Sequence, residues 1–473
     1  SVEGNTATMY IPECYNYEVA GTTIKWYSDV SPYTGQRYWS ISDLSGYHTQ
    51  REDTVQGIKF GAGNGNAALK GVASIEDLGN HRVKITYNSK AGEVQNGMCF
   101  QSRPTVRDHA GTFFWKSKDI RMTSLDIQFL HGFGMVGQHS ENITMEDVDF
   151  EAPKESGRTT AGYADFVQMS GCKGAININN CTFAGPHDDP INIHGTCSRI
   201  MEVLSPTRIK CKFMQDMSEG MEWGRPDEMI GFIEHNTMRT VATGKMNKFE
   251  ALNKAEFIIE LSAPLPAGVE AGYVIENLTC TPDAEIRNCH FGSCRARGLL
   301  VSTPGKVVIE NNIFESSGSA ILIAGDANAW YESGAVKDVL IRNNDFRYPC
   351  NSSIYQFCEA VISIDPEIPT PEQKYPYHRN IRIVDNTFHL FDYPILFARS
   401  VDGLTFSDNT LIRDTTYQPY HYRKEGITLE ACKSVVISNN KIEGDVLGRT
   451  VKFDRMKSSD IKISKNPFFR KLK

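Results

Sequence analysis

Ile143-Thr-Met-Glu-Asp-Val148-Asp-Phe150 and Ile176-Asn-Ile-Asn-Asn-Cys181-Thr-Phe183 decide the fold. Each alternates apolar and polar residues, crosses a polar turn, and reaches an aromatic residue two positions after a small apolar one. A period of two puts every second side chain on one face of a strand, so the apolar positions share one interior. The pattern also reads through Ile120-Arg-Met-Thr-Ser-Leu125-Asp-Ile127 and Ile286-Arg-Asn-Cys289-His-Phe291. Farther along, asparagine takes the turn: Asn312 with Phe314, Asn344 with Phe346, Asn386 with Phe388, Asn409 with Leu411, Asn440 with Ile442, and Asn466 with Phe468.

The turn positions 125, 148, 181, 289, 312, 344, 386, 409, 440 and 466 are 23, 33, 108, 23, 32, 42, 23, 31 and 26 residues apart. The short spacings suit one coil of a parallel β-solenoid, three short strands joined by turns. The recurring asparagine predicts an internal ladder, with αL geometry at the turn and amides bonded one strand spacing above and below. Leu125, Val148, Cys181 and Cys289 take the same rung earlier, where the ladder becomes apolar. Parallel crossovers favour a right-handed coil. The fold class is therefore all-β, a right-handed parallel β-helix (solenoid) with inserted small antiparallel β-barrel modules.

The 108-residue spacing exceeds one coil of about 24 residues by roughly 84. That excess predicts an inserted β-barrel module at 197–280, with strand-like runs at Arg208-Ile-Lys-Cys-Lys-Phe, Ile230-Gly-Phe-Ile and Phe257-Ile-Ile-Glu-Leu. Residues 1–100 read as an N-terminal β region holding first coils and a second small module, with Gly-rich turns at Gly61-Ala-Gly-Asn-Gly-Asn. Residues 101–196 and 281–473 read as the remaining coils.

The net charge of -7 points away from nucleic acid and anionic membranes. No apolar run approaches the ~20 residues that span a bilayer. The opening Ser-Val-Glu-Gly-Asn-Thr lacks the pattern of a signal peptide. The twelve cysteines show no zinc spacing, and most read as small buried hydrophobes. Cys350 and Cys358 flank a loop that would let them pair. Neither a metal nor a cofactor is expected.

The chemistry concentrates at Gly185-Pro-His187-Asp188-Asp189-Pro-Ile-Asn-Ile-His194-Gly195. Tyr163-Ala-Asp165-Phe-Val-Gln-Met-Ser-Gly171 aligns on His187–Gly195 without gaps at an offset of 24. Asp165 thus falls one coil before Asp189, about one strand spacing (~4.8 Å) away at the backbone. Three carboxylates this close do not all ionise freely, so one holds a proton beside an acceptor. Glycoside hydrolysis uses that division of labour, whereas an isolated Asp pair often only caps a turn. By the same register Arg297 falls beside Asp189 and Arg295 beside His187. His187 and His194 flank the pair as candidate substrate contacts. Trp330 and Glu332, in the loop Asp326-Ala-Asn-Ala-Trp-Tyr-Glu332, could meet a sugar, as could Glu359 at a strand entry two coils on. Gly132-Phe-Gly-Met-Val-Gly137 fits a dinucleotide fingerprint but lacks a following helix, so it reads as a coil segment. Arg208-Ile-Lys210 lies out of solenoid register.

With these residues in hand, the sequence resembles glycoside hydrolase family 110. The carrying features are Tyr163-Ala-Asp165-Phe, Asp188-Asp189-Pro-Ile-Asn-Ile-His-Gly, Arg103-Pro-Thr-Val-Arg-Asp108 and Trp330-Tyr-Glu-Ser-Gly334. The resemblance implies a β-helix with inserted barrels that removes terminal α-1,3-linked galactose, as on the blood group B antigen, with inversion. It also implies Asp188 as general acid, with Asp165 and Asp189 together activating water. Inversion would need carboxyl groups about 6.5–9.5 Å apart. The family's secreted members begin with a signal peptide, so a secreted or periplasmic location is the expectation. A homodimer is an open expectation. Competing readings are an endo-acting polygalacturonase-like hydrolase, which would carry a basic cleft, and a non-catalytic glycan-binding β-helix, in which the three aspartates would splay apart. A polysaccharide lyase is a further alternative, with Arg297 as its base.

Overall fold

Parallel pairing from coil to coil builds the scaffold. Met135–Gln138 pairs with Val167–Ser170, that strand with Ile191–Thr196, and that in turn with Leu299–Val301. Val167 stands opposite Ile191 and Ile191 opposite Leu299, so the 24-residue and 108-residue offsets are the true registers. A computed structural model describes all of the chain except residues 38–39, 43–46, 49–57, 60–68, 70, 92–93, 95, 98–106, 108, 293, 295, 317, 348–358, 420, 467 and 473. No α-helix occurs among the described residues.

The second parallel sheet carries the repeat read from the sequence. Its phenylalanines stack inside the coils, Phe150 on Phe183 at 5.1 Å, Phe183 on Phe291 at 5.2 Å and Phe291 on Phe314 at 4.6 Å between ring centroids. The asparagines form the expected ladder. Asn312 donates its backbone N–H and its Nδ2 to Asn344 Oδ1, both at 3.0 Å, and Asn344 does the same to Asn386. The αL conformation sits one residue earlier than expected, on Asn311, Asn343, Asp385, Asp408 and Asn439. That preceding residue makes the turn and frees the ladder asparagine to face inward. Val148, Cys181 and Cys289 are buried on the same rung, but Leu125 is 43% exposed. Its strand is the edge of the sheet, so no earlier strand covers it.

Six strands between Ser198 and Asn277 close into an antiparallel barrel inserted after the strand Ile191–Thr196. Its own core includes Trp223, Phe232 and Phe257. Arg208 and Lys210 lie on a barrel strand, where they face Glu250 and Glu256. Trp223 ties the barrel to the helix by donating Nε1–H to the Thr196 carbonyl at 2.9 Å. The N-terminal expectation of first coils is not met among the described residues: the described coil strands begin at Thr112, and the described strands before residue 100 pair antiparallel in small sheets. Gly132–Gly137 is a coil segment. A Cβ on Gly134 would stand 2.1 Å from the Asp165 carbonyl oxygen, so the close approach of two coils requires glycine there. Gly61–Asn66, Cys350 and Cys358 lie outside the described residues.

Candidate active site

Asp165, Asp189 and Arg297 each stand two residues before a strand of one parallel sheet, and the stacking of those strands brings them together. The turns lock in register: Phe166 donates its N–H to the Asp189 carbonyl at 3.1 Å, and Asp188 donates its N–H to the Ala164 carbonyl at 3.3 Å. The three aspartates converge, with one oxygen from each lying within 4.8 Å of the others. They line a cavity of about 830 Å³ counted to its open mouth.

The arginines divide the trio. Arg297 holds Asp189 twice, with Nη2 at 2.7 Å from Oδ2 and its backbone N–H at 3.2 Å from Oδ1. Arg107 donates to Asp188 Oδ2 and lies over the Phe133 ring. Asp165 has neither arginine directly on it. Burial, reinforced by the charges of Asp188 and Asp189, holds its carboxyl well above the usual range. Burial also lifts Asp189 to about 7, with Arg297 opposing the rise. Burial and like charge thus favour a proton on Asp165, while Arg297 and Arg107 place a cation against Asp189 and Asp188.

Other predicted residues scatter in role. Asp326 is buried, and its carboxylate accepts backbone N–H groups from Asn328, Ala329, Trp330 and Tyr331. That collar shapes the loop that carries Trp330 and Glu332 to the cavity. Glu332 is further fixed by strand pairing of Glu332–Ser333 with Gly195–Thr196, and by Asn192 Nδ2 at 3.2 Å. His194 lines an adjoining cavity. Its Nδ1–H donates to the Gly195 carbonyl at 2.6 Å and its Nε2 accepts from Gln168 at 2.8 Å. His187 is buried but lines neither cavity. Glu359 lines neither and is engaged by Tyr422 Oη at 2.5 Å and by Arg423. Tyr422 and Arg423 thus occupy the Glu359 carboxylate. Arg295 lies outside the described residues.

Sequence reasoning missed Arg107, Gln168, Asn192, Met217 and the acidic rim of Asp326, Asp365 and Glu367. Gln168 and Asn192 were within reach, since they stand opposite each other in the two aligned strands. Arg107 was quoted within a carrying segment without a role. Met217 comes from the barrel, and no sequence spacing relates it to the aspartates. Gln168 Oε1 is buried without a hydrogen-bond partner among the described residues.

Fold and cavity together define a right-handed parallel β-helix protein with a β-barrel insert and a floor of three carboxylates. Residues 208–275 match the family described as GLAA-B beta-barrel domain II, and residues 273–470 match the right handed beta helix region. The chain is 80% identical over 374 residues to alpha-1,3-galactosidase B of Bacteroides thetaiotaomicron, covering 79% of this chain and 61% of that protein. It is 40% identical to alpha-1,3-galactosidase A of Bacteroides fragilis, covering 77% of this chain and 60% of that protein. It is 35% identical to alpha-1,3-galactosidase B of Akkermansia muciniphila, covering 78% of this chain and 46% of that protein. The chain thus spans about three fifths of the length of the first two relatives. It is similar to these α-1,3-galactosidases over most of its own length, in accord with its resemblance to glycoside hydrolase family 110.

Proposed function

We propose that this chain carries an exo-acting glycoside hydrolase site that removes terminal α-1,3-linked galactose from glycans of blood group B and linear type. The observation that carries the reading is the division of the trio: a buried Asp165, its carboxyl held above the usual range by burial and like charge, beside Asp188 and Asp189, each held by an arginine. Asp165 donates to the leaving glycosidic oxygen, and the Asp188–Asp189 pair draws the proton from water. This reverses the roles that the resemblance implied for Asp165 and Asp188, because Arg107 favours an ionised Asp188. Trp330 offers a face to the sugar ring, and the Gln168 carbonyl oxygen is ready to accept a hydroxyl.

The rim residues Glu332, Asp326, Asp365 and Glu367 disfavour an acidic polymer, so the polygalacturonase and lyase readings lose support. Convergence of the aspartates weighs against a non-catalytic binding protein. The shortest approaches of the trio, within 4.8 Å, fall below the spacing of about 6.5–9.5 Å that inverting enzymes use. The product's anomer is therefore the informative measurement. Terminal α-1,3-galactosides, branched and linear, are incubated with the protein and followed by NMR. Release of β-galactose first supports the proposal with inversion, and α-galactose first replaces inversion by retention. No release from either substrate overturns the reading. A glycan substrate met outside the cell accords with a secreted or periplasmic location.

A further inference from the structure

His139, Glu228 and Cys280 meet at the seam between the barrel and the β-helix, and all three are buried. His139 follows the coil strand Met135–Gln138, Glu228 precedes the barrel strand Met229–Glu234, and Cys280 lies on the return from the barrel. One donor atom from each lies within 4.8 Å of the other two. His139 Nε2 bonds the backbone carbonyl of Glu222. A carbonyl only accepts, so Nε2 carries the hydrogen and Nδ1 presents a bare lone pair. That Nδ1 is buried in a residue only 5% exposed, and it has no hydrogen-bond partner among the described residues.

Glu228 is equally prepared. Its Oε2 accepts the Arg225 N–H at 2.8 Å and Asn277 Nδ2 at 2.7 Å, which leaves Oε1 facing Cys280 Sγ at 3.7 Å. The Asn277 side chain also accepts the Cys280 N–H at 3.0 Å. Metal sites have this outer architecture, a histidine that gives its second N–H to a carbonyl and a carboxylate steadied by hydrogen bonds. A tetrahedral ion with bonds of about 2.0–2.3 Å holds its donor atoms about 3.3–3.7 Å apart. The Cys280–Glu228 approach already fits, and an approach within 4.8 Å needs about 1.5 Å of closure at most. The nearby Arg225 is offset by the Glu222 carboxylate, which also meets Lys116. Sequence spacing concealed the set because its members come from three distant segments.

We infer that His139, Glu228 and Cys280 form a site for a zinc-class divalent cation that pins the inserted barrel to the coil carrying Gln138. Binding releases the Cys280 thiol proton to solvent and leaves a fourth position for water. The test uses the full chain, stripped with a chelator and titrated with Co²⁺ as a spectroscopic stand-in for Zn²⁺. One equivalent should give a thiolate-to-cobalt charge-transfer band, displaced by Zn²⁺, and either metal should raise Tm by several degrees. Cys280→Ser and His139→Gln should each lose the band and the Tm rise. Absence of a saturable band overturns the inference, as does a band that survives in Cys280→Ser, which would belong to another thiol such as the exposed Cys14. If one variant fails to fold, the other decides by the same two readouts, neither of which depends on galactosidase activity.

Discussion

Replacing Arg297 by methionine tests the electrostatics of the floor directly. Arg297 meets Asp189 at 2.7 Å, with side chains only 11% and 3% exposed. Even with that cation present, burial places the Asp189 carboxyl at about 7. Removing one partner of a buried, hydrogen-bonded charge pair costs about 2–5 kcal/mol. One pKa unit corresponds to about 1.4 kcal/mol, so Asp189 should rise by about 1.5–3.5 units in Arg297→Met. In the proposed mechanism the ionised form activates water, so the acid limb of kcat against pH moves to higher pH. At neutral pH, where the wild-type carboxyl is about half ionised, the loss is about 15- to 1600-fold, with activity returning as the solution is made alkaline. Initial rates of galactose release across the pH range, with circular dichroism to verify folding, measure it. Arg297→Lys should move the limb less, since it keeps both the positive charge and the backbone N–H bond to Asp189. A uniformly lower kcat with an unmoved acid limb would refute the reasoning and leave Arg297 a positioning role only.

Asp165→Asn should lower kcat by about 10²–10⁴, the worth of general acid catalysis, as measured with a substrate whose leaving group needs protonation. The same variant should gain stability at alkaline pH: Asp165 has a raised folded pKa, so the wild type loses stability as pH climbs above its unfolded value, and Tm curves should converge in acid. Asn386→Leu removes an amide that donates to the Ile341 carbonyl and Asn409 and accepts twice from Asn344, all at 3.0 Å. At about 1–3 kcal/mol per stranded buried group, urea unfolding should show a loss of about 4 kcal/mol or more, with a smaller loss for Asn466→Leu at the ladder's end. Trp330→Ala should raise KM with little change in Tm, because Trp330 is 41% exposed at the cavity.

Most of the scaffold was legible because a solenoid repeats one local rule. Period-two alternation, a turn residue and an inward asparagine or phenylalanine recur coil after coil, and parallel stacking turns sequence offset directly into spatial neighbourhood. That is why the offset of 24 was enough to put Asp165 over Asp189, and the offset of 108 enough to put Arg297 beside it. The N-terminal segment broke the rule, since its antiparallel strands carry no coil register. Glu359 had the right register for a substrate contact, but Tyr422 and Arg423 occupy its carboxylate, which no alignment of coils reveals.

The sequence by itself determined the β-helix, the barrel insert and the gathering of three aspartates, because each follows from periodicity and offset. Only the tertiary structure distinguished the electrostatic settings of the three aspartates. That depends on Arg107, Arg297 and burial, and desolvation is a property of the assembled cavity. Tertiary structure also decided the cavity wall that Met217 brings from the barrel and the meeting of His139, Glu228 and Cys280. Those groups share no register, and only the docking of barrel on coil makes them neighbours.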